Sequence, residues 1–221
     1  MVLWRECLRA IVFMGLQGLP VVIFATVSAG LVVTHEIAWH MNLALGTRDM
    51  VPGFSGQFIL RELGVAIPAF LMVSRIGAAL AAETGSMKIT EQLDALKLMK
   101  VDLFKFLVLP RWIGCVVVSI SLTLISLSIT ILCSLLVAVK FYDFNTIEYV
   151  TQLRRFVGFS DILKALVKSA AFGFVIPPIA FREGMKCQPS AAGVGESTTQ
   201  AVVSCTMAVI VVDFVLTYLF S

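Results

Sequence analysis

Two runs of residues in the chain resemble sites that do chemistry in other proteins. The run HEIAWH, from His35 to His40, resembles the zinc motif HExxH, but its second histidine comes one residue too late. On a helix the two rings would point about 140° apart, so they cannot share a zinc ion. Residues 190–197 resemble a phosphate-binding loop, yet Ser190 replaces the first glycine and Glu196 replaces the lysine, where a carboxylate would repel phosphate. We therefore predict that this chain has no catalytic group, binds no metal and binds no nucleotide.

Ser55 is a candidate nucleophile of a different kind. It lies in the run GFSG, from Gly53 to Gly56, which is similar to the GxSG motif of intramembrane serine proteases. Those enzymes need a histidine base on a later helix, and no histidine follows His40. A serine without a base is a poor nucleophile at neutral pH. We predict a glycine-rich turn outside the membrane, and keep an intramembrane serine protease that uses Ser55 as an alternative.

The composition indicates that the chain folds in a membrane. Of its 221 residues, 59% are hydrophobic and 14% are charged, and the mean hydropathy is +0.96. A soluble domain has about 45–50% apolar and about 25% charged residues. The net charge of +3 is scattered, so nothing indicates a nucleic-acid partner. Five cysteines without zinc spacing are predicted to be unpaired thiols. They are Cys7, Cys115, Cys133, Cys187 and Cys205.

Five segments are long and apolar enough to cross a bilayer, whose core needs about 20 helical residues. Residues 10–34 and 112–139 contain no charged side chain, and three further segments contain one or two. Because no alternating ten-residue pattern is present, we predict helices rather than barrel strands. The predicted spans are residues 16–36, 63–82, 112–139, 162–181 and 197–220.

The first fourteen residues predict a short helix in the membrane interface. Trp4, Leu8 and Ile11 have helical spacing and would form its apolar face. A cleaved signal peptide is the alternative. A cytoplasmic N-terminus would place ten lysines and arginines inside against seven outside, a weak positive-inside bias. With five spans, the C-terminus would then lie on the outer side.

The longest polar segment on the predicted inner side follows the second span. Gly85 is predicted to end the membrane helix, and Thr90 to cap a new helix with Glu91 and Asp94 near its start. Such a short helix either lies on lipid or docks into a partner, and its spacing leaves both open. Its apolar stripe would consist of Ile89, Leu93 and Leu96.

This segment carries a resemblance to a known family. The pattern R-x-G-x5-E-x-G-x-M-x3-E-Q-x-D-A-L begins at Arg75, and the likeness continues to the run LPR that ends at Arg111. The runs LRELG (60–64), AGVGESTTQAVV (192–203) and DFVLT (213–217) agree as well. Together they strongly resemble the MlaE (YrbE) family over about residues 14–220. These proteins are permease subunits of ABC transporters that work with MCE proteins.

The resemblance implies one all-α membrane domain over residues 1–221. It would have an N-terminal interfacial helix (1–14), five spans, and a cytoplasmic coupling helix (about 87–100) between spans two and three. It implies a homodimer in the bacterial inner membrane, a cytoplasmic ATPase that binds ATP and Mg, and an MCE ring on the periplasmic side. The residues that match the coupling element are Arg75, Glu83, Gly85, Met87, Glu91, Asp94 and Leu96.

The implied function is the movement of phospholipid between the inner membrane and the MCE partner, which maintains the lipid asymmetry of the outer membrane. A sterol or fatty-acid importer of the same architecture is the alternative within transport. The sequence departs from the family at Val65, where a proline is usual, while Pro68 comes three residues later. Any kink in the second span is therefore expected at Pro68, three residues later than is usual in the family.

Charged residues inside the spans are costly and usually functional. By residue count, Lys168 and Asp213 would each lie about 11 Å below the outer surface, so they could pair. Glu62 and Arg61 begin the second span on the same side. We predict that these four side chains form a polar cluster lining a lipid pocket. The alternative is a purely structural ion pair between spans four and five, and restored folding and transport after swapping Lys168 and Asp213 would indicate it.

Overall fold

The computed structural model describes the backbone of residues 2–45, 50–100 and 107–220. It describes their side chains except for residues 2–10, 13, 17, 44 and 45. The side chains of Trp4, Leu8 and Cys7, and the part of the family pattern at residues 101–106, therefore lie outside the described residues.

The described part of the chain is all α-helical, without a strand, as predicted. Two π-helical turns, π1 and π2, interrupt the α-helices between residues 51 and 89. The elements in chain order are α1 (Val2–Leu45), α2 (Val51–Phe58), π1 (Ile59–Leu63), α3 (Gly64–Met72), π2 (Val73–Gly77), α4 (Ala78–Ile89), α5 (Gln92–Leu98), α6 (Leu109–Tyr142), α7 (Thr146–Phe156), α8 (Phe159–Met185) and α9 (Ala191–Phe220).

Five stretches of helix among the described residues are long and apolar enough to cross a membrane, in agreement with the predicted number. They are Met14–Leu43, Val51–Ile89, Leu109–Tyr142, Phe159–Met185 and Ala191–Phe220. Each extends beyond the predicted core, because helices continue into polar flanking residues when neighbouring helices supply packing. The predicted interfacial helix and the first span form one uninterrupted helix, α1. No residue forces a break between them, since the first proline, Pro20, is accommodated inside the helix.

The predicted turn at Gly53–Gly56 is wrong, because these residues belong to α2. Both glycines face α7 at very close range. A Cβ atom added to Gly53 would overlap the ring of Phe156, and one added to Gly56 would overlap the side chain of Leu153. The glycines are therefore a flat packing surface for α7, and this contact offsets the low helix propensity of glycine.

The predicted break at Gly85 is also wrong, because α4 continues through it to Ile89. A Cβ atom on Gly85 would lie 3.3 Å from the Cβ and Sγ atoms of Cys187, so this glycine allows close helix packing. The break falls instead at Glu91, whose backbone is left-handed with φ 58°. Thr90 does not cap α5, since its hydroxyl donates to the Ser86 carbonyl (2.9 Å) at the end of α4.

The chain divides into two compact units. The first is built from three separate stretches of sequence and the second from two. Unit 1 comprises Met1–Leu19, Ala69–Ser121 and Ser169–Ser221, and unit 2 comprises Pro20–Pro68 and Leu122–Lys168. Unit 2 has a core of buried residues at the ends of its helices: Ala38, Val51, Ala138, Phe144 and Tyr149. In unit 1 the most buried side chains include Phe172, Ile176, Ala180, Ala201 and Cys205. The single domain over residues 1–221 stays a prediction.

Candidate functional site

Four charged residues of unit 2 form a cluster around the ammonium group of Lys168, which we call the buried charge cluster (Arg61, Glu62, Asp161 and Lys168). The Lys168 side chain is only 4% exposed. Its Nζ atom donates to the backbone carbonyl of Arg61 (2.8 Å) and to Oε1 of Glu62 (3.1 Å). A buried ammonium needs such partners, because desolvation without them would cost several kcal/mol.

The cluster becomes more accessible towards Arg61. The guanidinium of this residue is half exposed and lies 3.4 Å from Oδ1 of Asp161, which is almost buried. Oδ2 of Asp161 accepts the backbone N–H of Gly158 (3.0 Å) at the start of α8. A carboxylate is favourable there because the N-terminus of a helix carries partial positive charge. Two cations and two carboxylates give the cluster no net charge.

Arg61, whose carbonyl accepts a hydrogen bond from Lys168, lies within the π1 turn. The N–H of Gly64 donates to the carbonyl of Ile59, five residues earlier, so the regular α-helical ladder is interrupted here. A Cβ atom on Gly64 would lie 2.9 Å from that carbonyl oxygen and would overlap Leu127. Pro68 then lies inside α3 and contributes no N–H to the ladder. The glycine of the LRELG run is thus required by the close approach of Leu127 and of the Ile59 carbonyl.

Three of the four residues predicted for the polar cluster come together: Arg61, Glu62 and Lys168. Asp161 was missed, although it precedes Lys168 by seven residues and so lies on the same face of α8. Asp213 belongs to α9 in unit 1, where its backbone carbonyl accepts the hydroxyl of Thr217 (2.8 Å). Its pairing with Lys168 stays a prediction.

The second candidate site is in unit 1, where α4 ends and α5 begins, and we call residues 83–99 the coupling corner. The predicted coupling residues are here except for Arg75, which is exposed on π2. Glu83 forms an ion pair with Arg111 at the start of α6. Arg111 belongs to the family pattern, but the sequence did not indicate this role. Glu91 and Asp94 are exposed, and Met87 and Leu96 are half-buried.

Close contacts hold the α4 side of the coupling corner. A Cβ atom on Gly184 of α8 would lie 2.7 Å from the Cβ of Thr84 and 2.8 Å from the Ala81 carbonyl. The Nζ atom of Lys88 donates to the carbonyls of Met185 and Cys187, both at 2.8 Å. These carbonyls end α8, where a cation is favourable. A displacement of the corner must therefore also displace α8.

The α5 side of the corner is largely exposed. Leu93 is buried, whereas Leu98 and Met99 are 86% and 65% exposed. Asp94 pairs with Lys97 (2.8 Å) on the surface. Since Glu91 adopts a left-handed backbone without being glycine, it costs about 1 kcal/mol that other contacts must offset. The α5 side of the corner thus leaves the apolar side chains of Leu98 and Met99 and the carboxylates of Glu91 and Asp94 exposed.

Ser55 does not lie in a catalytic arrangement. Its side chain is fully buried, and its hydroxyl donates to the Pro52 carbonyl (3.3 Å). Ser134 donates to it (3.4 Å) and in turn accepts the hydroxyl of Tyr149 (2.8 Å). Burial raises the pKa of Tyr149, and its hydrogen bonds to the two serines partly oppose that shift. These hydroxyls form a structural chain to α7, and none of them can serve as a base near pH 7.

The histidines and cysteines show no metal-binding arrangement in the described residues. His35 Nδ1 lies 3.2 Å from the hydroxyl of Tyr142, and His40 lies 3.6 Å from Glu36 on the same helix. No group of three or more His, Cys, Asp or Glu side chains that could hold a metal ion occurs in the part of the chain that the structure describes. Four of the five cysteines are described, and all are unpaired: Cys115, Cys133, Cys187 and Cys205.

Comparison with known proteins assigns the chain to one family. The permease MlaE family model matches residues 7–219, nearly the whole chain. The chain belongs to the MlaE permease family. Membership confirms the resemblance carried by the sequence patterns, and makes the protein a multi-pass membrane permease of the ABC transporter class.

Relatives of this MlaE permease come from bacteria and a plant. A probable ABC transporter permease protein of Rickettsia conorii is 34% identical over 215 residues, which cover 96% of this chain and 82% of the relative. The intermembrane phospholipid transport system permease protein MlaE of Haemophilus influenzae is 30% identical over 92% of this chain and 78% of its own length. The chloroplastic protein TRIGALACTOSYLDIACYLGLYCEROL 1 of Arabidopsis thaliana is 30% identical over 98% of this chain and 62% of its own length.

Proposed function

We propose that this permease is the membrane subunit of an ATP-driven transporter that moves phospholipid between the inner membrane and an MCE-domain partner. A separate cytoplasmic ATPase binds ATP and Mg and docks on the coupling corner. The permease works as a homodimer, with its N-terminus in the cytoplasm and its C-terminus in the periplasm. The observation that carries the proposal is the coupling corner, an exposed short helix between two spans whose base is fastened to α8.

The corner has the properties of a mechanical connection. Its α5 end exposes Leu98, Met99 and the carboxylates of Glu91 and Asp94, which suits a partner groove with basic edges. Its α4 end is held by Gly85, and the Lys88 ammonium caps α8. Movement of a docked ATPase would therefore displace α4 and the end of α8 together rather than bend a loose loop.

The cargo is proposed from the buried charge cluster. The half-exposed guanidinium of Arg61 can bind a phosphate in a bidentate manner, while Asp161 holds it in place. The apolar surface of the spans suits acyl chains. The Haemophilus relative is named as an intermembrane phospholipid transport permease, which supports phospholipid over a sterol, because a sterol has no phosphate for Arg61 to bind.

Two substitutions at Glu91 test the coupling. Glu91→Gly removes the carboxylate and suits the left-handed backbone, so it should stabilise the fold slightly, by about 0.5–1 kcal/mol, yet weaken ATPase binding. Glu91→Lys reverses the charge and should abolish copurification of the ATPase and ATP-dependent phospholipid transfer in proteoliposomes. A matched control, Glu148→Gln on α7, removes an exposed carboxylate elsewhere and should leave both intact.

The cargo is tested separately with Arg61→Gln, which should lower phospholipid transfer while ATPase binding persists. Full activity of Glu91→Lys would contradict the coupling role, whatever the cargo. Unchanged phospholipid transfer with Arg61→Gln, or equal transfer of sterol by the parent protein, would contradict the phospholipid assignment and leave the coupling role intact. A fully active permease without any ATPase would contradict the whole proposal.

A further inference from the structure

The helix α7 has two sharply different faces. At 100° per residue, Tyr149, Leu153 and Phe156 lie on one side, where they contact Ser134 and the glycines of α2. The opposite side, which we call the exposed face of α7, contains two apolar residues, a threonine, a glutamate and two arginines. Its members are Ile147, Glu148, Val150, Thr151, Arg154 and Arg155.

The position of α7 in the chain fixes it at a membrane boundary. It joins α6, which ends at Tyr142, to α8, which begins at Phe159, and both are membrane-spanning helices. Only three residues precede α7 and two follow it, so neither end can leave the boundary where α6 ends and α8 enters. A helix held in this way lies along the interface between headgroups and acyl chains.

The residues beside α7 continue its apolar surface towards the lipid. Phe141, at the end of α6, is 72% exposed, and Phe159, at the start of α8, is 82% exposed. From Phe159 an exposed apolar stripe runs along α8 through Leu163 and Val167. Because an exposed apolar stripe on a span faces acyl chains, the exposed Ile147 (76%), which lies in the chain between Phe141 and Phe159, is placed at the same lipid boundary.

The charges on the exposed face select the kind of lipid. Arg154 lies close to Ile147 around the helix, and Arg155 lies beside Thr151. Neither arginine has an ion-pair partner within the described ranges 50–100 and 107–220. The one carboxylate of α7, Glu148, lies on the same side of the helix as Arg155 but about two turns before it, and it is about 120° from Arg154 around the helix. The two guanidinium groups outnumber the one carboxylate, so the exposed face carries net positive charge, which attracts anionic headgroups at a bilayer surface.

We propose that the exposed face of α7 binds anionic phospholipid headgroups at the membrane surface, with Ile147 and Val150 inserted among the acyl chains and Arg154 and Arg155 on the phosphates. This face is a lipid-binding surface separate from the buried charge cluster. The inference depends on α6 and α8 being membrane spans, and it holds whether or not the permease carries phospholipid.

Quenching of a tryptophan by brominated lipids tests the proposal directly. The full chain carrying Ile147→Trp is reconstituted in vesicles of phosphatidylcholine with 30% phosphatidylglycerol, as an added mixture, with bromine on the acyl chains of one lipid at a time. The quenching of the three native tryptophans is measured in the parent and subtracted. We expect the anionic lipid to be enriched around residue 147 relative to its share of the vesicle. An attraction to one arginine would give an enrichment of about fivefold, and an attraction to both arginines would give more.

Arginine variants and a charge-matched control complete the experiment. Arg154→Gln with Arg155→Gln should remove the enrichment, while Lys97→Gln with Lys100→Gln, which changes the net charge equally in unit 1, should keep it. Equal quenching by both lipids in the Ile147→Trp protein would overturn the proposal. So would enrichment that survives loss of both arginines. Absence of quenching by either lipid would also overturn it and would indicate that a protein covers this face.

Discussion

The buried charge cluster and the coupling corner use the same residue types in opposite environments. In the cluster, Lys168 is 4% exposed and its partners are a carboxylate and a backbone carbonyl. In the corner, the side chains of Lys97 and Asp94 are 55% and 67% exposed, although their ion pair is shorter, at 2.8 Å. The shorter pair contributes less, because water solvates both partners well when they separate. The exposure of a charged pair to water, rather than the distance between its atoms, therefore decides how much the pair contributes to the stability of the fold.

The two regions also differ in how they are held together. The coupling corner is fastened by glycines and backbone carbonyls, as at Gly184 and at Lys88 with the end of α8. The buried charge cluster is held together by charged hydrogen bonds, such as those from Nζ of Lys168 to Glu62 and to the Arg61 carbonyl. We therefore expect the corner to tolerate the loss of a surface charge, and the cluster to be destabilised by the loss of Lys168 alone. Four predictions follow this contrast from its largest effect to its smallest.

Lys168→Ala should give the largest loss, about 3 kcal/mol of the free energy of unfolding, because it removes the buried ammonium that donates to Oε1 of Glu62 and to the Arg61 carbonyl. The thermal unfolding midpoint in detergent would measure this. The double variant Lys168→Met with Glu62→Gln, which removes both charges at similar volume, should recover most of the loss. A midpoint for Lys168→Ala equal to that of the parent would mean that the cluster does not hold unit 2 together.

Gly184→Ala should destabilise unit 1 by about 1–3 kcal/mol, because the new methyl group would lie 2.7 Å from the Cβ of Thr84. Gly195 in α9 is the matched control, since a Cβ there meets no atom within 4 Å. Gly195→Ala should therefore stabilise the helix by up to about 1 kcal/mol. The two unfolding midpoints should move in opposite directions. If both moved upward, packing would not be what fastens the corner.

Tyr149→Phe tests whether a buried neutral group behaves like a buried charge. It should lower the free energy of unfolding by about 1 kcal/mol, because the hydrogen bond from the Tyr149 hydroxyl to Ser134 is lost. Burial raises the pKa of Tyr149, so above about pH 10 the unfolded chain loses this proton while the folded chain keeps it. Stability should then fall as the pH rises, and Tyr149→Phe should lack that part of the decline. Tyr218→Phe, at an 81% exposed site, should leave stability near pH 7 unchanged.

Lys97→Ala should give the smallest effect, at most about 0.5 kcal/mol, because its ion pair with Asp94 is exposed and screened by salt. The measurement is again the thermal unfolding midpoint, at low and at high salt concentration. A loss comparable with that of Lys168→Ala would contradict the contrast between the two regions.

Much of the fold follows from hydropathy. The number of spans, their approximate positions and the all-α class are correct, since only helices satisfy their backbone groups within apolar runs of this length. Helix ends were less predictable. The glycines at positions 53, 56 and 85 were interpreted as breaks, yet each lies inside a helix against a neighbouring side chain. A single sequence does not distinguish a glycine needed for close packing from one that ends a helix.

Part of the candidate site was also predictable. The charges of Arg61, Glu62 and Lys168 stood out because charged residues are rare in spans, and the structure brings them together. The sequence did not predict that Asp161, the Arg61 carbonyl and the π1 turn contribute to the site. Hydropathy shows where a helix crosses the membrane, but it does not show where a π-turn forms or which ion pairs a side chain makes. The helix α7 was missed too, because its sequence is polar between two spans.

The sequence by itself determined that this chain is a helical membrane protein of the MlaE permease family, because apolar runs and family patterns are local properties of the chain. Only the tertiary structure decided which partner Lys168 has, where α4 ends, and that Gly53 and Gly56 contact α7. Those outcomes depend on contacts between residues more than a hundred positions apart, such as Arg61 and Lys168, which are 107 positions apart. Local patterns cannot contain such contacts, since they arise when helices pack.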